Sequence, residues 1–213
     1  MFLKLSGRLC LVVGAGRVAE PKIESLVRCG ARVRVVAPSA TAAIRQSTQA
    51  GEIEWLERTF EPGDLDGAFL VVAATSSPGL HELIFRQAQQ AGVLCNAVDQ
   101  PNLCDFYYPA VVRRGPLQIA ISTSGNSPSL ARRIREELER QFGASYGPWI
   151  REIGKVRRAL IEADTEPKKR SAILKDMSSD RSFRRFQRSA NSKRTARRRQ
   201  ADGAARRATR SRS

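Results

Sequence analysis

Short apolar runs alternate with helical patterns along the first two thirds of the chain. Strands are predicted at 9–13, 32–37, 53–57, 69–74, 93–98 and 117–122, with helices at 18–30, 40–51 and 78–91. The strand runs are almost continuously apolar, as in Phe69-Leu-Val-Val-Ala-Ala74, which is typical of a sheet covered on both faces. Strands that alternate with helices predict βαβ units, and therefore an α/β fold with a doubly wound parallel sheet.

In the rest of the chain, the sequence pattern predicts helices without intervening strands. A helix is expected over 127–142, because Ser127 suits the N-cap, Pro128 suits the first helical position, and apolar residues recur every fourth position. A further helical region is expected over 147–188. Large apolar residues almost disappear over 189–213, so this segment cannot offset its ordering entropy and we predict a disordered basic tail.

The charge is distributed very unevenly. Residues 1–150 carry 16 Lys and Arg against 14 Asp and Glu, whereas residues 151–213 carry 21 against 7. The basic C-terminal third either remains solvated or binds nucleic acid, acidic lipid or a polyanionic substrate. The four cysteines lack metal-ligand spacing and no run is long enough to span a bilayer, so we expect a soluble, cytoplasmic protein without a metal site.

The segment after the first predicted strand carries the most specific chemical signal. Its sequence, Gly14-Ala-Gly-Arg-Val-Ala19, has the form G-x-G-x-x-A between a strand and a helix, which is typical of a Rossmann-like dinucleotide-binding loop. Gly14 permits the tight turn, Gly16 lets the backbone approach a pyrophosphate, and Ala19 allows close helix packing. The alternative is a glycine turn that binds nothing.

A carboxylate follows the strand predicted at 93–98. Ligands of doubly wound sheets bind beyond the carboxyl ends of the strands, so Asp99 is placed for work as a general base. An aspartate before a proline turn is also typical of turn capping, and position alone leaves both interpretations open. Asp105 is a weaker candidate because it belongs to the loop.

Hydroxyl groups and a glycine precede the helix predicted over 127–142. They offer several hydrogen-bond donors to an anion, and Arg132 and Arg133 add positive charge one turn further on. Ordinary helix capping beside a solvated arginine face explains the same residues. The spacing alone does not decide between the two.

The chain resembles the precorrin-2 dehydrogenase / sirohydrochlorin ferrochelatase family, which is also the N-terminal region of siroheme synthase. The matching segments, in order, are Val13-Gly-Ala-Gly-Arg-Val-Ala-Glu-Pro-Lys22, Val35-Val-Ala-Pro38, Ala73-Ala-Thr75, Cys95-Asn-Ala-Val-Asp99, Phe106-Tyr-Tyr-Pro109 and Ile119-Ala-Ile-Ser-Thr-Ser-Gly-Asn-Ser-Pro-Ser-Leu-Ala-Arg132. The likeness covers about residues 1–188 and omits the tail.

The resemblance implies NAD-dependent oxidation of precorrin-2 to sirohydrochlorin, in some members followed by insertion of Fe²⁺ to give siroheme. It implies that Asp99 is catalytic and that the protein is a homodimer. The residues expected to bind NAD are Gly14, Ala15, Gly16, Arg17, Val18, Ala19, Pro38, Ser39 and Thr75. Because the substrate is an octacarboxylate, a basic cleft edge is expected. The residues expected to bind it are Arg113, Arg114, Ser122, Thr123, Ser124, Gly125, Asn126, Arg132 and Arg133.

The expected organisation has four parts. These are an NAD-binding Rossmann-like domain over 1–115, a central strand-helix dimerisation segment over 116–145, a helical C-terminal domain over 146–188 and the tail over 189–213.

Several positions depart from the family's pattern. Pro21 replaces the usual Arg, Ser76-Ser77 replaces an acidic pair, and His81 replaces a frequent Asn. Thr123 stands where relatives commonly have a serine, which is phosphorylated in some. As the only histidine, without ligand partners at suitable spacing, His81 is expected to be a solvent-facing helix residue rather than an iron ligand.

The sequence leaves open which dinucleotide is bound, and it is compatible with two other functions. No acidic residue follows the second strand to hold a ribose 2′-hydroxyl; Ser39 can bind the ribose instead, and Arg34 can tolerate a 2′-phosphate. The residues thus leave NADP open while the resemblance favours NAD. The other functions are a nucleotide-sensing regulatory module that acts through the basic tail, and a hydride-transferring enzyme for a smaller substrate.

Overall fold

The structure, a computed structural model, describes residues 2–190 and 192. The chain divides into two compact units, one that extends to Tyr108 and one that begins at Pro109. No helix within the described ranges is long and apolar enough to cross a membrane. The predicted disordered tail lies almost entirely outside the described residues, but its first two positions, 189 and 190, are helical.

The first unit is a five-stranded parallel sheet between helices. Its strands are β1 (Leu9–Val13), β2 (Arg32–Val36), β3 (Glu54–Leu56), β4 (Leu70–Ala73) and β5 (Leu94–Ala97), and its helices are α1 (Glu20–Arg28), α2 (Ala42–Gln49) and α3 (Pro78–Ala91). Short 3-10 helices cover Pro62–Leu65 and Pro101–Leu103. The spatial order β3-β2-β1-β4-β5 confirms the predicted doubly wound sheet.

Both faces of the sheet are buried, as the continuous apolar runs predict. Neighbouring residues of a strand point to opposite faces, so Val12 packs on the side of Ile23 of α1 and Leu11 on the side of Ile84 of α3. The chain leaves the adjacent strands β1 and β4 towards these opposite faces. The two loops therefore diverge, which creates a crevice at the carboxyl edge of the sheet.

The second unit begins with an antiparallel hairpin, which corrects the sequence-based topology. Strand β6 (Ala110–Arg114) pairs with β7 (Leu117–Ile121) in a separate two-stranded sheet. The strand expected at 117–122 therefore does not join the parallel sheet, and the segment after it does not follow a parallel strand. Gly115, with φ +61°, begins the two-residue turn that reverses the chain. Arg113 and Arg114 end the short apolar run of β6, so the hydrophobic pattern did not indicate this strand.

The remaining helices are α4 (Pro128–Gln141), α5 (Tyr146–Glu162), α6 (Pro167–Met177) and a helical stretch over 180–190. The predicted cap of α4 is confirmed, since Ser127 Oγ accepts from Leu130 N at 3.3 Å. The helical region expected over 147–188 is interrupted at Asp164, whose φ is +48°. Gly147 brings α5 against the hairpin, because a Cβ there would lie 2.8 Å from Arg114 O.

Candidate functional site

The loop after β1 is folded tightly against the end of β4. Gly14 has φ +105°, and a Cβ at this position would overlap Ala74 O and lie 2.7 Å from Ala74 C. The Gly14 amide donates to Val36 O at 2.9 Å, and the Ala74 amide donates to Val13 O at 2.8 Å. A side chain at Gly14 is therefore excluded by the protein itself, as the sequence predicts for the tight turn.

The other glycine of this loop has open space beside it. A Cβ at Gly16 would have no heavy atom within 4 Å, so another molecule has room to approach the backbone. Among the described residues, the amides of Gly16, Arg17 and Val18 donate to no protein acceptor, and they precede the first turn of α1. Ala19 is fully buried. This cradle of free amides at a helix N-terminus fits the pyrophosphate of a dinucleotide.

The loop after β2 lies beside this cradle. Thr41 N donates to Ala15 O at 3.1 Å and so ties the two loops together. Pro38 and Ser39, predicted to bind the cofactor, are exposed. Arg34, which the sequence left available for a 2′-phosphate, is instead ion-paired with Glu54, with 2.8 Å between Nε and Oε2.

The first turn of α3, which follows the loop after β4, contains an unexpected buried histidine. Only 5% of His81 is exposed, so the expectation of a solvent-facing residue is wrong. Its Nε2 accepts from the amide of Thr75 at 3.3 Å, and its Nδ1 is buried without a partner among the described residues. Burial lowers the pKa of the imidazole, and the negative charge of Asp99 partly opposes this. Helical periodicity predicted the helix but not which side of its first turn faces the protein.

Asp99 follows β5 at the same carboxyl edge. It is exposed and has φ +60°, in a tight turn that the Gln100 amide closes on Ala97 O at 3.2 Å. A residue other than glycine in this conformation is uncommon, and such residues cluster at functional sites. The turn leaves the Asp99 carboxylate exposed at the carboxyl edge of the sheet rather than packed against the protein.

Lys22 is a charged neighbour of Asp99 to which the sequence analysis gave no role. Its Nζ lies 4.1 Å from the ring centroid of Tyr108, a cation–π contact. Burial lowers the pKa of Lys22, and the negative charge of Asp99 partly opposes this effect. Asp99 thus acts electrostatically on both Lys22 of α1 and His81 of α3. The position of Lys22 three residues after the G-x-G-x-x-A run was the available signal.

Asp105, the second carboxylate of this loop, makes hydrogen bonds that stabilise the fold. Asp105 Oδ2 accepts from Cys95 N at 2.8 Å, and both its oxygens accept from Gln89 Nε2. These bonds anchor the chain after Asp99 to β5 and α3. Asp105 is therefore a structural residue, in agreement with its lower rank from the sequence.

In the second unit, the predicted substrate residues after β7 form one exposed turn. Ser124 and Gly125 both have positive φ, +52° and +81°, and the Asn126 amide closes the turn on Thr123 O at 2.9 Å, as in a type I′ turn. Ser122 Oγ accepts from Ser124 N at 3.1 Å. The turn exposes hydroxyl and amide groups immediately before α4.

The predicted substrate arginines have different surroundings. Arg114 donates to Phe142 O at 2.7 Å and to Glu139 O at 3.0 Å, so it closes the C-terminal end of α4. Arg132 and Arg133 are exposed and, within the described part of the chain, pair only with glutamates one turn further along α4. Arg113 lies half-buried on β6. The assignment of all four to substrate binding stays a prediction.

The described residues contain no group of His, Cys, Asp or Glu side chains that could hold a metal ion. Comparison with known families matches residues 1–110 to a model described as putative NAD(P)-binding, and residues 114–141 to one described as sirohaem biosynthesis protein, central. The two matches fall almost entirely within the first and the second unit, respectively.

Curated relatives carry the name siroheme synthase. The chain is 40% identical over 173 residues to siroheme synthase of Photorhabdus laumondii, which covers 81% of this chain and 37% of that protein. It is 41% identical over 157 residues to siroheme synthase 1 of Serratia proteamaculans, with 74% and 33% covered. The chain thus spans about a third of the length of these relatives.

A solved structure is similar over most of the chain. It is named SirC, precorrin-2 dehydrogenase, and has a TM-score of 0.73 and 26% sequence identity. The match covers 90% of this chain and 98% of the other. The similarity therefore extends over both units and not only over the nucleotide-binding fold.

Proposed function

The chain belongs to the siroheme synthase and precorrin-2 dehydrogenase family, and from this premise we propose that it oxidises precorrin-2 to sirohydrochlorin with NAD⁺ as hydride acceptor. One observation carries the proposal. The open backbone beside Gly16 and the exposed carboxylate of Asp99 follow strands of the same sheet and lie at its carboxyl edge. A nucleotide cradle and an acid–base group thus share the edge where such sheets bind ligands.

The residues divide the reaction between them. When bound, the nicotinamide supplies an acceptor for the hydride, which carries two electrons and one proton out of the substrate. Asp99 accepts the second proton, so that one oxidation yields sirohydrochlorin, NADH and one proton. Gly16, Arg17 and Val18 hold the pyrophosphate with their backbone amides. Lys22 places a positive charge near Asp99.

The substrate is proposed to contact the second unit through its carboxylates. Ser122, Thr123, Ser124, Gly125 and Asn126 offer hydrogen-bond donors in an exposed turn. The arginines of α4 and β6 supply positive charge. Exposed ion pairs such as those of Arg132 and Arg133 stabilise a protein by only about 0–1 kcal/mol, so exchanging a glutamate for a substrate carboxylate costs little.

NAD is preferred over NADP in this proposal. The Glu54 carboxylate that pairs with Arg34 offsets its positive charge and would repel a 2′-phosphate, and Nε of Arg45 donates to Ala40 O at 3.0 Å. Ser39 is exposed beside the cradle and can bond the ribose hydroxyl. Fluorescence titrations with both dinucleotides measure the preference.

The testing experiment is an anaerobic assay with precorrin-2 and NAD⁺ that follows NADH and sirohydrochlorin together. Asp99→Ala should lose turnover while the fold and NAD⁺ binding remain. Asp66→Ala is the matched control, because Asp66 is an exposed aspartate that precedes β4, at the opposite edge of the sheet. Full activity of Asp99→Ala would remove this residue from the mechanism.

The same preparation separates the other functions. Fe²⁺-dependent conversion of sirohydrochlorin above the spontaneous rate would add the ferrochelatase step to the proposed activity. Binding of NAD⁺ without turnover, together with salt-sensitive binding of nucleic acid that depends on residues 189–213, would favour a regulatory module instead. Light scattering tests the homodimer that the family resemblance implies.

A further inference from the structure

We propose that His81 is a positioning residue for the cofactor: its neutral imidazole holds the amide of Thr75, and thereby the wall of the nucleotide crevice, in the conformation that binds the dinucleotide. This inference rests on the proposed nucleotide binding. His81 is the only histidine of the chain, and the reaction proposed above does not use it.

The hydrogen bond defines the protonation state of the ring. Because Nε2 accepts from Thr75 N at 3.3 Å, it carries no proton, and a neutral ring then has its proton on Nδ1. That Nδ1 is buried without a partner among the described residues, which is energetically unfavourable. The fold therefore retains this imidazole in spite of an unfavourable buried donor.

The Thr75 amide is linked to the rest of the crevice wall. Thr75 Oγ1 accepts from Ser77 N at 3.2 Å, and Ser77 Oγ caps α3 by accepting from Leu80 N at 3.4 Å. On the other side, Ala74 lies directly against Gly14 of the dinucleotide loop. A shift of Thr75 would move the backbone on which Gly14 packs.

Protonation of His81 breaks this arrangement. A proton on Nε2 would face the Thr75 N–H, and two donors cannot bond to each other. Asp99 is the charged group that acts on the ring from the neighbouring elements. Asp64 is ion-paired with Arg58, Cys95 has its pKa raised to about 12 by burial, and β4 and the Pro101–Leu103 helix carry no ionisable side chain.

The expected consequence is a pH-dependent affinity for the cofactor. If only the neutral ring supports binding, the Kd for NAD⁺ rises about tenfold for each pH unit below the imidazole pKa. In His81→Gln, the side-chain oxygen can accept the Thr75 N–H and does not titrate. This variant should bind NAD⁺ with a flat pH profile between pH 5 and 8, whereas His81→Leu should bind weakly throughout.

The experiment combines NMR with calorimetry on the full chain, purified without a histidine tag. A single histidine gives one set of imidazole ¹⁵N signals, which report both the tautomer and its titration. Titrations with NAD⁺ from pH 5 to 8 follow the Kd of the wild type and both variants. Glu82→Gln, an exposed change in the same turn of α3, is the control and should follow the wild type.

The outcomes are distinguishable. An Nδ1–H tautomer whose protonation coincides with the loss of NAD⁺ affinity, and a flat profile in His81→Gln, support the inference. Two results overturn the inference and leave the proposed function intact. One is normal NAD⁺ binding at pH 8 with an Nε2–H tautomer of His81, and the other is an NAD⁺ affinity that does not change as His81 titrates. Failure of the wild type to bind NAD⁺ at any pH overturns the nucleotide proposal itself.

Discussion

The two glycines of the loop after β1 should respond in opposite ways to the same substitution. Gly14→Ala places a Cβ in overlap with the Ala74 carbonyl, at φ +105°. The positive φ costs an alanine about 1–2 kcal/mol, and moving packed backbone adds about 1–3 kcal/mol. We expect a loss of about 2–5 kcal/mol in the free energy of unfolding, or roughly 4–20 °C in melting temperature.

Gly16→Ala meets no protein atom within 4 Å, so its stability should stay within about 1 kcal/mol of the wild type. Its methyl group instead occupies space proposed for the pyrophosphate, and NAD⁺ affinity should fall at least about tenfold, or 1.4 kcal/mol. Thermal melts followed by circular dichroism and fluorescence titrations with NAD⁺ measure the two effects separately. Unchanged NAD⁺ affinity in Gly16→Ala would refute the assignment of the loop, and a Gly14→Ala variant as stable as the wild type would refute the packing argument.

Two further predictions concern carboxylates. Hydrogen bonds from Arg58 and the Glu61 amide outweigh burial and hold the pKa of Asp64 below its ordinary value. Their stabilisation is complete above the unfolded-state pKa of about 3.9 and is lost as the pH falls through the lower folded value, so urea midpoints below pH 4 should fall more steeply in the wild type than in Asp64→Asn. Asp99→Gly relieves the positive φ and should raise the free energy of unfolding by up to about 1 kcal/mol while turnover disappears; a destabilised variant in chemical denaturation would contradict this.

The parallel sheet was predictable because each strand is an apolar run bounded by turn residues. Its five strands were placed within one or two residues, and α4 begins after the Ser127 cap where the sequence indicated. The hairpin of the second unit was not predictable in the same way. Its strands are only partly buried, so their pattern is weak, and pairing is decided by the Gly115 turn rather than by hydrophobicity.

The site shows a similar division. Motif spacing placed Gly14, Gly16 and Asp99 correctly along the sheet edge, because strand ends carry them there. Burial of His81 depends on how the first turn of α3 is rotated, and the availability of Arg34 depends on register with β3, which places Glu54 opposite it. The burial of His81 and the pairing of Arg34 both depend on tertiary contacts, which a local sequence pattern does not contain. They decide which polar groups remain available to a ligand.

The polar groups near the carboxyl edge of the first unit differ in whether the fold already uses them. Asp105 is bound to a backbone amide and a glutamine, and Arg34 to Glu54. Asp99, in contrast, makes no hydrogen bond within the described part of the chain, is exposed, and holds a conformation that costs energy. Aspartate tolerates this backbone conformation better than most residues, but the fold uses no hydrogen bond of its carboxylate, which therefore remains available to a ligand. Its charge, which acts on Lys22 and His81 on the two flanking helices, is the property that the proposed reaction uses.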